Sequence, residues 1–190
     1  MKIKNNRAVL RRTGPIALLA ATTLMASSLF ARQAPPASNA VPASTAALSD
    51  QLKISAHAYH DDLLLKVADL KSMPRTTVTV HNEHSKADEG YSGVRLADLL
   101  GKMGAPLGHD LRGVALSGYI VATGSDGYVA VVALAEVDPT FHSGEVIVAD
   151  TMNGAPLDAK SGPFKLVVTE DKRPARWVRN LVSIELKSAK

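Results

Sequence analysis

The sequence predicts an α+β domain of mixed, mainly antiparallel strands with a few short helices. Three observations predict it. Segments dense in β-branched residues outnumber segments with helical periodicity. Strands and helices do not alternate in the regular order that parallel βαβ units require. Residues 48–190 have the length of one ordinary domain, enough to bury about two-thirds of the unfolded surface.

In chain order, residues 1–31 read as a signal peptide. Lys2, Lys4, Arg7, Arg11 and Arg12 make a basic start without acids, and an apolar run from Ile16 to Ala31 follows. Thr22, Thr23, Ser27 and Ser28 dilute that run, and it is short of the roughly 20 strongly apolar residues a membrane span needs. Cleavage suits Ala26-Ser27-Ser28 or Ser38-Asn39-Ala40. Arg11-Arg12 leaves twin-arginine export open beside the general secretory route. The expected location is periplasmic or secreted, with no membrane span after cleavage. Residues 32–47, rich in Pro, Ala and Ser, cannot bury enough apolar surface to order themselves and read as a linker.

The domain itself begins with Gln51 to Ser55, whose alternation suits an edge strand. Leu63 to Val67 is a short apolar run, then one or two helical turns over Ala68 to Met73 are closed by Pro74. Thr76 to Val80 is β-branched and reads as a strand. The clearest helix is Val94 to Met103: Leu96, Leu99, Leu100 and Met103 form one apolar stripe, and Gly104 with Pro106 stops it. Ala115 to Thr123 and Tyr128 to Ala133 flank a glycine-rich hairpin turn, Gly124-Ser125-Asp126-Gly127. A helical turn over Leu134 to Val137 leads to a strand at Glu145 to Asp150, and Asn153-Gly154 is another turn. Phe164 to Thr169 and Leu181 to Leu186 supply the last strands.

Charge and composition exclude several functions. The whole chain holds 22 Lys and Arg against 18 Asp and Glu, but six of the basic residues and none of the acids fall in residues 1–34. The remainder carries a net charge of −2, so the basic balance belongs to the leader. A nucleic-acid partner would need a basic face on the folded domain and is not expected. Cysteine is absent, which excludes disulfides, a thiolate nucleophile and thiolate metal ligands. No nucleophile elbow, zinc-protease helix or phosphate loop occurs.

Three stretches in order, LLLKVADLKSMPRTTVTV (Leu63 to Val80), YSGVRLADLLGKMGAP (Tyr91 to Pro106) and SGPFKLVVTEDKRPARWVRNLVSIEL (Ser161 to Leu186), resemble the oxidoreductase molybdopterin-binding domain of the sulfite oxidase family. SGYIVATGSDGYVAVVALAEVD between them is similar to its central hairpin. The resemblance implies a sulfite-oxidase-type fold over nearly all of residues 48–190, in a short, stand-alone, exported version. It also exposes a departure. Catalytic members carry a molybdenum-ligating Cys shortly after the strand equivalent to Thr76 to Val80, where this chain reads His81-Asn82-Glu83-His84-Ser85. Imidazole and hydroxyl are poor substitutes for a soft thiolate. Molybdopterin is therefore the cofactor implied by resemblance and opposed by the missing sulfur.

Lys172, Arg173, Arg176 and Arg179 cluster around Trp177, the single Trp of the chain. Guanidinium forks and a flat ring suit an aromatic ligand bearing phosphate. By resemblance, Arg173, Arg176 and Trp177 are the expected cofactor contacts. Two His-x-x-His pairs, His57/His60 and His81/His84, each precede acidic residues and offer N/O donors to Zn²⁺ or Cu²⁺; His81 and His84 are the expected metal ligands. No catalytic residue can be named. Two functions follow: an oxidoreductase-like domain without Cys-ligated molybdenum chemistry, holding a small anionic, pterin-like ligand, or a non-enzymatic periplasmic module that binds a metal or a protein partner.

Overall fold

The structure, a computed structural model, describes residues 50–56, 58–83 and 85–190. The leader read over 1–31, the linker over 32–47, His57 and His84 lie outside the described residues. The elements run β1 (Gln51–Ala56), β2 (His60–Lys66), α1 (Val67–Lys71), β3 (Thr76–Asn82), β4 (Ala87–Arg95), α2 (Leu96–Lys102), β5 (Gly118–Gly124), β6 (Val129–Ala133), α3 (Leu134–Val137), β7 (Val146–Met152), β8 (Ala155–Pro156), β9 (Lys165–Val168) and β10 (Leu181–Ser188).

The first sheet has the order β2-β1-β10-β5-β6, and the second runs β3-β4-β7-β8 with β9 also paired to β7. Among the described ladders only β1–β10 is parallel. The predicted class holds: mixed, mainly antiparallel sheets with short helices.

Three local readings change. β1 is not an edge strand, because β2 takes one side of it and β10 the other. Alternation reports that one face is buried and is silent about the strand's two hydrogen-bonding edges. Helix α2 starts two residues later than its apolar pattern, since Val94 and Arg95 are laddered to Val148 and Ile147. Its stripe is as expected, with Leu96, Leu99, Leu100 and Met103 all buried, and Gly104 with φ 73 ends the turn. Strand β5 begins only at Gly118, because Gly113–Ser117 winds into a 3-10 turn.

Burial occurs on two levels. The larger core draws Leu52 and Ile54 from β1, Ile120 and Ile184 from β5 and β10, the α2 stripe, and Val148 and Leu166 from β7 and β9. A second cluster covers the opposite face of the second sheet: Val78, Val80, Tyr91, Ile147, Ala149 and Val167, with Trp177 against it. Strands β7 and β9 thus bury both faces, which is why they read as continuous apolar runs rather than alternating ones. The second cluster forms the floor of the candidate site.

Candidate functional site

A cleft of about 830 Å³ opens on that face, between β3, β4 and the loop that joins β9 to β10. Period-two geometry chooses its floor. On β9, Leu166 and Val168 enter the main core while Lys165 and Val167 face the second cluster, in register with Ala149 and Ile147. A lysine is thereby carried to the cleft from an otherwise apolar strand, and it is only 8 % exposed.

Burial of that ammonium is compensated locally. Lys165 Nζ donates to the Tyr91 hydroxyl at 2.7 Å, and that hydroxyl donates to Glu89 Oε2 at 2.8 Å. Asn82 Nδ2 donates to the other oxygen of Glu89 at 2.6 Å. The ammonium lies 4.3 Å from the Tyr91 ring centroid and 5.2 Å from that of Trp177. The two rings meet edge-on at 87°, with centroids 5.6 Å apart, an arrangement that aligns positive edge with negative face. Desolvation holds the Lys165 amine below the ordinary lysine range. The Tyr91 hydroxyl is pushed well above its ordinary value, by burial first and by its bond to Glu89 second.

The loop from Thr169 to Arg179 forms the opposite wall, and geometry divides its charges. Trp177 Nε1 donates to the Val168 carbonyl at 2.8 Å, which fixes the indole as a wall. Arg176 is turned away from the cleft into a carboxylate clamp. Its Nε and Nη2 meet Asp171 at 3.0 and 2.6 Å, and its Nη1 meets both oxygens of Glu136 at 3.0 and 3.1 Å. Those bonds, that to Asp171 foremost, raise its pKa. Arg173 is exposed at the start of the Pro174–Arg176 3-10 turn, and Lys172 and Arg179 line the cleft. Arg176→Ala is expected to lower stability by about 1–3 kcal/mol through the hydrogen bonds lost, and to speed amide exchange at Trp177 and Val178. Unchanged exchange there would remove its bracing role.

Of the expected metal residues, His60 and His81 lie among the described residues, while His57 and His84 do not. His81 lines the cleft and pairs through Nδ1 with Asp88 Oδ1 at 2.8 Å. His60 lies on β2 of the first sheet, with Nδ1 donating to the Asp61 carbonyl. Among the described residues no group of three or more His, Asp or Glu side chains is placed to hold a metal ion.

Sequence reasoning missed Tyr91, Glu89, Asn82 and Lys165. One signal was present: a lone lysine inside Phe164-Lys165-Leu166-Val167-Val168, where a charged residue is seldom buried without a partner. The partner itself, 74 positions away, left no local trace.

The acids at the cleft are all engaged: Glu89 as above, Glu83 with Lys86 at 2.5 Å, Asp171 with Arg176, and Glu170 with His142 at 3.0 Å and Ser143 at 2.7 Å. Among the described residues Lys172 and Arg179 have no ion-pair partner. The cleft therefore presents two cations without an ion-pair partner in the same lining as the Trp177 ring.

The model of the oxidoreductase molybdopterin binding domain matches residues 38–190. The sulfane dehydrogenase SoxCD from Paracoccus pantotrophus has a similar fold, with a TM-score of 0.55 at 20% sequence identity. That similarity covers 73% of this chain and 39% of the larger one, so this chain spans well under half of its length. No curated protein matches the chain.

Proposed function

This chain belongs to the oxidoreductase molybdopterin-binding domain family, and from that premise we propose that its cleft holds a small, flat, anionic ligand of pterin type without Cys-ligated molybdenum chemistry. The observation that carries the reading is the pair of uncommitted cations, Lys172 and Arg179, beside the Trp177 wall while every cleft acid is engaged.

The two halves of the family's cofactor meet different tests. The organic half fits: an aromatic ring finds the Trp177 wall, and a phosphate finds the guanidinium of Arg179 and the ammonium of Lys172. Arg176 serves by holding the loop, and Arg173 is exposed on it. The metal half does not fit. The chain has no cysteine, and residues 81–85, from the end of β3 onward, offer imidazole, amide, carboxylate and hydroxyl, harder donors than the thiolate this chemistry uses. No redox step is assigned.

Export completes the proposal. The basic start and the diluted apolar run of residues 1–31 support a signal peptide, with the domain working in the periplasm or outside the cell.

Protein recovered from its native host compartment is expected to contain molybdenum far below one atom per chain. Added neopterin monophosphate is expected to raise the melting temperature by mass action. Lys172→Ala and Arg179→Ala should each weaken that ligand by about 1.5–3 kcal/mol, the range for a charge-assisted hydrogen bond. Stoichiometric molybdenum together with sulfite oxidation would overturn the reading.

A further inference from the structure

We propose that Lys165 is a nucleophilic amine that captures small anionic aldehydes or ketones in the cleft as an imine. The proposal rests on the reading of the cleft as an anion site and adds a covalent step to it.

The geometry supplies what such a step needs. An ammonium has three donors, yet among the described residues Lys165 Nζ makes one hydrogen bond, to the neutral Tyr91 hydroxyl. It is nine-tenths buried and lines both the main cleft and a smaller neighbouring one of about 370 Å³. The charged groups acting on it are Glu89 and Asp158, which favour the ammonium, and Arg179, which opposes it; burial, acting with Arg179, outweighs the two acids and shifts the balance toward the free amine. Arg179 also stands where it would attract the ligand's anionic end.

The hydrogen-bond chain provides the proton path. Lys165 passes a proton to the Tyr91 oxygen while Tyr91 passes its own to Glu89, across 2.7 and 2.8 Å. That leaves a neutral amine, a neutral tyrosine and a neutral carboxyl group, with no charge separated in the buried site. The amine lone pair then forms the C–N bond to the carbonyl carbon, and a proton moves from nitrogen to oxygen to give the carbinolamine. Glu89 returns its proton through Tyr91 to the hydroxyl, the C–O bond breaks, and water leaves. The product is a protonated imine and an ionised Glu89, so atoms and charge balance without a co-reactant. The new cation occupies the position of the old one and keeps its contact with both rings.

The test uses pyridoxal 5′-phosphate, an anionic aromatic aldehyde, on the purified full chain, with borohydride to fix any imine and peptide mass mapping to locate it. Pyridoxine 5′-phosphate, which has the same ring and phosphate and no carbonyl, is the non-reactive control. The expected result is one reduced adduct per chain on Lys165, suppressed by the control compound. It should be lost in Lys165→Arg, which keeps the charge, and formed about a hundredfold more slowly in Glu89→Gln, the effect of one acid–base group. Labelling spread over exposed lysines with Lys165 unmodified would overturn the proposal. If pyridoxine 5′-phosphate still raises the melting temperature in that case, the anion site stands and only the covalent step fails. If neither compound binds, both fail.

Discussion

Arg75→Ala is expected to destabilise the fold by about 3–5 kcal/mol, because it strands a buried carboxylate. Asp150 sits on β7 with its side chain 0% exposed. Its two oxygens are met by the two terminal nitrogens of Arg75, at 2.5 and 2.9 Å. That bidentate bond, larger than the opposing cost of burial, raises the Arg75 pKa. Arg75 itself follows Pro74, which ends α1 and sends the chain into β3, so one ion pair ties the helix exit to the central strand of the second sheet. The intact pair need not add much net stability, since both charges lost water to form it. Breaking one half is a different matter, because the remaining charge has neither water nor partner. Denaturant unfolding checks this: Arg75→Ala should unfold far earlier, whereas Arg75→Met combined with Asp150→Leu should recover most of the loss. A change under about 1 kcal/mol for the single variant would mean that water reaches Asp150 and the pair behaves as a surface one.

How much of this was legible in the sequence depends on how local the cause was. The α2 stripe, the hairpin of β5 and β6, and the last two strands follow from spacing within a few residues, and the structure has them. Strand β4 was not legible. Ala87-Asp88-Glu89-Gly90-Tyr91-Ser92-Gly93 lacks the β-branched density by which a strand is recognised. It is extended because β3 pairs with it throughout and β7 pairs with its second half, a tertiary cause with no local signature.

The candidate site divides in the same way. Trp177 and the basic residues around it were visible as a cluster, because they are neighbours in sequence. Which of them face the cleft was not visible. Arg176 is held by Asp171 in its own loop and by Glu136, 40 positions earlier, and the second of these partners has no local signature. Lys165, Tyr91 and Glu89 come from β9 and β4, strands joined through β7 between them, so their meeting depends on two ladder registers at once. The missing sulfur, by contrast, is a fact of composition and was readable at once.

Those registers turn on Gly93, and Gly93→Ala is expected to cost about 3 kcal/mol or more, as overpacking against an unyielding neighbour does. The β4–β7 ladder shifts by one residue between Ser92 and Gly93, a bulge that brings the two backbones close. A Cβ on Gly93 would collide with the Val148 carbonyl oxygen and lie within 2.6 Å of the Ala149 Cα. Both obstacles are backbone in the middle of a buried strand, so no rotamer change relieves them. Gly90 on the same strand is the internal comparison. Its Cβ would meet only Asn153 Oδ1, at 3.5 Å, an ordinary contact, and Gly90→Ala should fall within about 1 kcal/mol of the parent. The consequence reaches the cleft, because Tyr91 is two residues from the bulge and packs on Trp177. Emission from that single Trp should shift to longer wavelength in Gly93→Ala as water reaches the indole, and stay put in Gly90→Ala. Equal melting temperatures for the two variants would show that β7 yields, and that the bulge does not set the position of the Tyr91–Lys165 pair.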